Sequence, residues 1–244
     1  MWCASDGRAR GFCLTTRCPH GRTLGKVVMS KLRLALELPA RVAASLPPPD
    51  ARFPSLEERM DLVIRLAQEN VRRGTGGPFA AAVFDAKTHR LIAPGVNVVA
   101  SQWCSAAHAE MLAIMLAQRL LRTHDLAAPG LPPCELVASA APCAMCLGAV
   151  PWSGVRRVVC GARDEDVRAA GFDEGDKPAH WPQKLERRGI AVVEDVRRAQ
   201  AVAVLAEYVR AGGLIYNSRS APGDAHAGSS APPRKRSGVD ARRS

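Results

Sequence analysis

No apolar run in this 244-residue chain approaches the ~18 residues of a membrane-spanning helix, so no transmembrane span is expected. The eight cysteines do not form the even, closely spaced framework of small secreted domains. That argues against a disulfide-stapled scaffold and for a reducing compartment, the cytoplasm. Lysine is scarce and arginine and alanine are abundant, which looks like a GC-rich genome more than a functional selection. Hydrophobic side chains are not lacking: at 47% they suffice for a real core and argue against a disordered chain. The length allows one good-sized domain with tails, or two small domains.

The net charge of +11 is unevenly spread. Residues 1–50 carry +5 and 218–244 carry +4, whereas 51–217 carry only +2. The middle is close to neutral, which weakens any case for a folded face that tracks phosphates. Residues 1–50 show no sustained period. Arg8, Arg10, Arg17, Arg22 and Lys26 against a single Asp6 imitate a transit peptide, and translation from Met29 is the competing reading. Leu46-Pro47-Pro48-Pro49-Asp50 reads as a linker. Residues 218–244 have the composition of a disordered basic tail. Its Arg234-Lys235-Arg236 is a solvated charge run or, less favoured, a nucleic-acid or targeting signal. The expected organisation is an irregular extension over 1–50, one domain over 51–217, and the tail.

Within the middle, Ser55-Leu56-Glu57-Glu58 is a capping box, followed at helical spacing by Met60, Ile64, Ala67 and Val71. Gly76-Gly77-Pro78 is a turn. Strands are expected over 79–84 and 91–99, joined by a hairpin with a solvated His89 at its tip. A helix over 108–122 would place Met111, Leu112, Met115, Leu116 and Leu120 on its apolar side. A strand over 135–139, a helix over 143–152 and a strand over 155–160 follow. Gly171 to Gly175 is a polar turn in a segment with few core residues. After a short strand at 190–193, Asp195 is expected to cap a helix to Arg210 that packs through Val196, Ala199, Val202, Leu205 and Val209. Alternating strands and helices imply an α/β fold with helices on both faces.

The chain is organised around His108-Ala109-Glu110 and, 33 residues after Glu110, Cys143 in Pro142-Cys143-Ala144-Met145-Cys146. His108, Cys143 and Cys146 are what Zn²⁺ binds when one tetrahedral position stays open for water. Each half opens a helix, where free N–H groups and the dipole favour thiolates. Glu110 is not needed as a ligand and is the natural proton carrier beside the metal. A lone Cys-x-x-Cys would suit a redox pair or a structural zinc half-site. Two small buried hydrophobes in an Ala-rich helix would also explain the cysteines, but not Pro142 or the His-Ala-Glu triplet. A non-catalytic zinc module would close the fourth position and would have no use for Glu110. Cys13, Cys18 and His20 lack a fourth ligand and a scaffold, so no second metal site is expected. Cys104, Cys134 and Cys160 read as core thiols.

The H-x-E…P-C-x-x-C pattern marks zinc-dependent base deaminases. Residues 55–217 resemble the cytidine-deaminase-like superfamily and, within it, nucleoside and nucleobase deaminases of the bacterial guanine deaminase kind. The resemblance implies a three-layer α/β/α fold with a mixed central sheet, Zn²⁺, and a homodimer. It also implies hydrolysis of a purine base, guanine to xanthine and ammonia. Gly76-Gly77-Pro78-Phe79 resembles the family's turn whose phenylalanine packs near the base. Asn97 stands where the family has an asparagine that hydrogen-bonds the base, though Asn is also a common turn residue. Trp152 matches an aromatic set against the purine ring, and equally suits a core position at a helix end.

Gly171-Phe172-Asp173-Glu174 matches a guanine-deaminase segment whose last carboxylate accepts the guanine N1–H and 2-amino donors. That gives Glu174 a substrate-reading role with a share in proton movement. Tyr216 is a counterpart of a terminal tyrosine that the family lends to the partner subunit's site. The sequence departs from the pattern at Ala80, where Gly is usual, and at Ala141, where Glu is common. Gly161-Ala162-Arg163-Asp164 resembles the tRNA adenosine deaminases, the rival expectation, in which basic tails would contact RNA.

Overall fold

The computed structural model describes residues 34–217, so the expectations for 1–28 and 218–244 lie outside the described residues. Of these, residues 37–217 belong to one compact unit. Its longest helix, α2 (Leu56–Arg72), starts where the capping box puts it. Ser55 Oγ accepts the Glu58 N–H at 3.1 Å, and Glu58 Oε2 accepts the Ser55 N–H at 3.0 Å. Before it, α1 (Ala40–Ala43) is a single turn, too short to show a period, whose Val42 is fully buried.

The five-stranded sheet runs β2 (Leu91–Val96), β1 (Ala80–Asp85), β3 (Cys134–Ala140), β4 (Arg157–Ala162), β5 (Ala191–Val193). β1 pairs antiparallel with both β2 and β3, and β3–β4 and β4–β5 are parallel, so the sheet is mixed. Period-two alternation sorts its side chains between two layers. Ala81, Val83, Leu136, Ala138, Val158 and Cys160 face a core shared with α3 (Ala109–Leu121), α4 (Ala144–Ser153) and α6 (Trp181–Glu186). α2 and α7 (Arg198–Arg210) pack on β1, β3 and β4 from the other side. There Glu135, wholly buried, pairs with Arg59 of α2 at 2.7 Å and with Arg157. The expected three-layer α/β/α architecture is what the chain adopts. No described helix is long and apolar enough to cross a membrane.

Several local expectations are corrected. Asp195 does not cap the last helix: it has a φ of 66° and its carboxylate pairs with Arg163, so α7 starts three residues later behind Arg197. The packing face of α7 is Ala201, Val204, Leu205 and Tyr208, while Val209 is 42% exposed. In α3 the buried side carries Ala109, Leu112, Ala113, Ile114 and Ala117, and Leu120 points out at 65% exposure. The turn expected at Gly171 to Gly175 carries no helix or strand, but it is flanked by two short helices that were not expected, α5 (Asp164–Ala169) and α6, and Trp181 and Leu185 of α6 join the core. His89 is not merely solvated: its Nδ1 lies 3.1 Å from Arg59 Nη1.

Candidate active site and metal centre

His108 and Cys143 are themselves the N-cap residues of α3 and α4, with Cys146 in the first turn of α4. Gly95 brings β2 against the start of α3: a Cβ there would lie 2.2 Å from Ala109 O and 2.5 Å from Ala113 N. β3 runs into α4 through Ala141, whose N–H is held by Ala162 O of β4 at 2.8 Å. Both helix starts thus converge at the same end of the sheet, beyond the C-terminal ends of β2 and β3.

The donor atoms of His108, Cys143 and Cys146 all lie within 4.8 Å of one another. Cys143 Sγ is 3.5 Å from His108 Nδ1. A tetrahedral ion with a Zn–S bond of ~2.3 Å and a Zn–N bond of ~2.1 Å requires an S···N edge of roughly 3.6 Å, so this donor set fits zinc. The charge pattern agrees. Cys143 is lowered to about 4, chiefly because it accepts the Cys146 thiol proton, with His108 adding to the effect. The same bond and burial push Cys146 up. The two sulfurs share one proton where a cation would take its place. Burial opposes charge on His108, but the Cys143 bond and the Glu110 carboxylate outweigh it and raise its pKa.

Glu110, one residue inside α3, is 8% exposed. Burial first, then the Cys143 thiolate, push its carboxyl up, the direction a group that takes and returns a proton needs.

His108, Glu110 and Cys143 line a cavity of about 410 Å³ that also receives Phe79, Asn97, Phe172, Glu174 and Tyr216. Its aromatic wall meets edge to face: Phe79 and Phe172 centroids are 4.9 Å apart, Phe172 and Tyr216 5.6 Å, His108 and Tyr216 6.3 Å. Asn97 is 1% exposed, and its Oδ1 accepts the Val99 N–H at 3.3 Å. Burial raises Glu174 to about 8, opposed by Lys177 and reinforced by Cys143 and Glu110. Two buried atoms at the cavity, Glu174 Oε2 and Tyr216 Oη, have no hydrogen-bond partner among protein atoms. Leaving such an atom unpaired costs about 1–3 kcal/mol, so this is a wall built for a polar ligand.

The structure therefore brings eight of the nine expected site residues to one place. Trp152 is the exception, at 86% exposure and outside the cavity. Six residues after Cys146 at 100° per residue put it about 120° round α4 from the ligand and about one and two-thirds turns further along. Ala80 is accommodated where Gly was expected: it is 1% exposed, with its N–H on Ser139 Oγ at 3.1 Å. Sequence reasoning missed Asn217, whose Oδ1 accepts the Asp173 N–H and whose Nδ2 donates to Gly171 O, both at 2.9 Å. It also missed Asn70, which sits behind Asn97. Neither belongs to a local motif, so nothing in the spacing marks them.

Two helix caps and a first-turn cysteine converging on one ion position, beside a buried carboxyl and an open cavity, define a zinc-dependent hydrolase site. Residues 54–162 match the model of the cytidine and deoxycytidylate deaminase zinc-binding region. Guanine deaminase of Bacillus subtilis (strain 168) is 38% identical over 122 residues, 48% of this chain and 74% of the relative. A solved structure of guanine deaminase from Nitrosomonas europaea is 51% identical, with a TM-score of 0.68 over 73% of this chain and 96% of that one. Another, solved in complex with 2,6-diaminopurine, is 51% identical with a TM-score of 0.71, covering 75% of this chain and 96% of that one. The chain belongs to the cytidine and deoxycytidylate deaminase family, and it is a deaminase similar to the guanine deaminases within it.

Proposed function

We infer that this protein is a zinc-dependent hydrolytic deaminase of a purine base, converting guanine to xanthine and ammonia. The observation that carries the choice of base is Glu174, a buried carboxyl group with an unpartnered oxygen facing the cavity, which two donors from a ligand would hold in its charged form. Guanine offers a carboxylate two parallel donors, N1–H and the 2-amino group. Adenine presents a lone pair at N1, which a carboxylate repels. The guanine deaminases among the relatives support the same reading.

When bound by His108, Cys143 and Cys146, zinc supplies a water whose pKa lies near neutrality as the nucleophile. Glu110, buried next to that position, would take one proton of that water and deliver it to N3, the ring nitrogen beside the carbon under attack, and pass the second to the amino group as it leaves. Glu174 holds N1–H and steadies the departing amino group as it leaves as ammonia. Asn97 fixes the opposite edge of the base, and Phe79, Phe172 and Tyr216 exclude water from its faces. The balance is guanine plus water giving xanthine plus ammonia.

We further propose a cytoplasmic homodimer. Thiolate ligands need a reducing compartment. Met115 and Leu120 on α3 and Met145 and Trp152 on α4 are exposed apolar side chains for a second copy to cover. Residues 51–217 are taken as the catalytic domain, with 218–244 as a dispensable basic tail.

Ammonia release from a panel of guanine, adenine, cytosine, nucleosides, triazines and tRNA tests the reading. Guanine turns over far faster than adenine or cytosine. Deamination of an anticodon adenosine by a protein inert on guanine refutes the assignment in favour of the tRNA enzymes.

A further inference from the structure

Asn70 has no solvent exposure, although it lies in the last turn of a helix whose other end is capped in water. Its amide is fully engaged. Nδ2 donates to Gly77 O at 2.8 Å and to Asn97 O at 2.9 Å, and Oδ1 accepts the Thr75 hydroxyl at 2.7 Å. Asn97 O also accepts the Gly77 N–H at 3.2 Å, and the Asn97 N–H goes to Phe79 O at 2.9 Å. The packing is tight: a Cβ on Gly76 would lie 1.8 Å from Asn97 O and 2.8 Å from Asn70 Nδ2. One side chain, far from the metal ligands in sequence, thus joins the turn leading into Phe79 to the strand end that carries Asn97.

We propose that Asn70 is a positioning residue for substrate recognition. It locks the turn and Asn97 together, so that the Asn97 amide and the Phe79 ring meet the base as one preformed wall. Preorganisation of this kind lowers the ordering cost of binding. The proposal rests on the reading that Asn97 contacts the base.

A double-mutant cycle in the full-length, zinc-loaded protein tests it, with Asn70→Ala, Asn97→Ala and the double variant compared on the base that wild type deaminates fastest. Zinc content and thermal melts run alongside. Expected is about one zinc per chain throughout and a KM raised about tenfold or more by Asn70→Ala, with kcat changed less. The Asn70→Ala effect should disappear in the Asn97→Ala background, because both act through one contact. Asn70→Asp, which keeps the shape but replaces the donor, should behave like Asn70→Ala. Equal penalties in both backgrounds would mean a general structural role and overturn the proposal. So would wild-type KM in either single variant.

If Asn70→Ala and Asn70→Asp fail to melt cooperatively, Thr75→Val decides. It removes the hydroxyl that holds Oδ1 and so orients the amide, which leaves both Nδ2 donors without a fixed direction, and it should raise KM in a wild-type background and not in the Asn97→Ala background. An unchanged KM there counts against the proposal. The wild-type substrate ranking in the same assay shows separately whether the guanine reading holds.

Discussion

The backbone carbonyl of Glu174 accepts the N–H of Ala144 at 2.9 Å. Ala144 is the first residue of α4, directly after Cys143, and its N–H has no partner within the helix. The turn that reads the substrate is therefore fastened to the helix that holds the metal. The backbone of Glu174 cannot move along the cavity without pulling on the start of α4.

The metal centre gives the first prediction. Purified protein holds about one zinc per chain, as three-ligand sites do. Cys143→Ala and Cys146→Ala each lose it in elemental analysis, because the remaining donors no longer close three corners of the tetrahedron. Full zinc retention in both variants sinks the assignment.

Glu110→Gln keeps the size of a buried side chain and removes its titration. Zinc content and the melting curve should stay near wild type, since burial already disfavours the charged carboxylate. Turnover should drop at least ~10²-fold, the usual scale for a positioned proton carrier. Near-normal turnover would transfer the role to Glu174, the other buried carboxyl at the cavity.

For Glu174→Gln, the amide presents a donor where guanine needs an acceptor. Sites built to pair buried polar groups reject mismatched partners by large factors, so guanine turnover should fall by orders of magnitude with zinc still bound. Wild-type kinetics in this variant would leave the choice of guanine without its carrier.

Truncation separates the ends of the chain. Removing 1–36 and 218–244 should leave zinc binding and turnover close to wild type, because no site residue lies there. Removing 37–50 as well takes away Val42, wholly buried, and the Pro49 carbonyl that accepts Arg90 Nη2 at 2.9 Å. Loss of one buried valine is worth about 1.5–3 kcal/mol. A melting point lower by roughly 5 °C or more than in the first truncation is expected. Equal melting points would show that 37–50 contribute no stability.

The metal centre is legible in the sequence because it is locally encoded. His108 and Glu110 are two residues apart, Cys143 and Cys146 three, and each pair sits on the opening of its own helix. Such spacing fixes which side chains can point at a common ion. The capping box at Ser55 is legible for the same reason, since all its bonds close within three residues.

What the spacing could not supply was direction and distance. α3 is apolar at most positions, so a period alone does not choose its buried side. The close approach at Gly95 chooses it, because only small residues such as Ala109 and Ala113 fit against β2 at that separation. α4 is likewise apolar nearly all round, and only its seat on the sheet turns Trp152 to solvent. Asp195 would cap a helix in isolation, but Arg163, 32 residues away in sequence, takes its carboxylate. Asn70 reaches Asn97 across 27 residues, and Asn217 reaches Gly171 across 46. Chemistry held by neighbours in the chain is written in the sequence, whereas the walls that hold a substrate are assembled from side chains that only folding brings together.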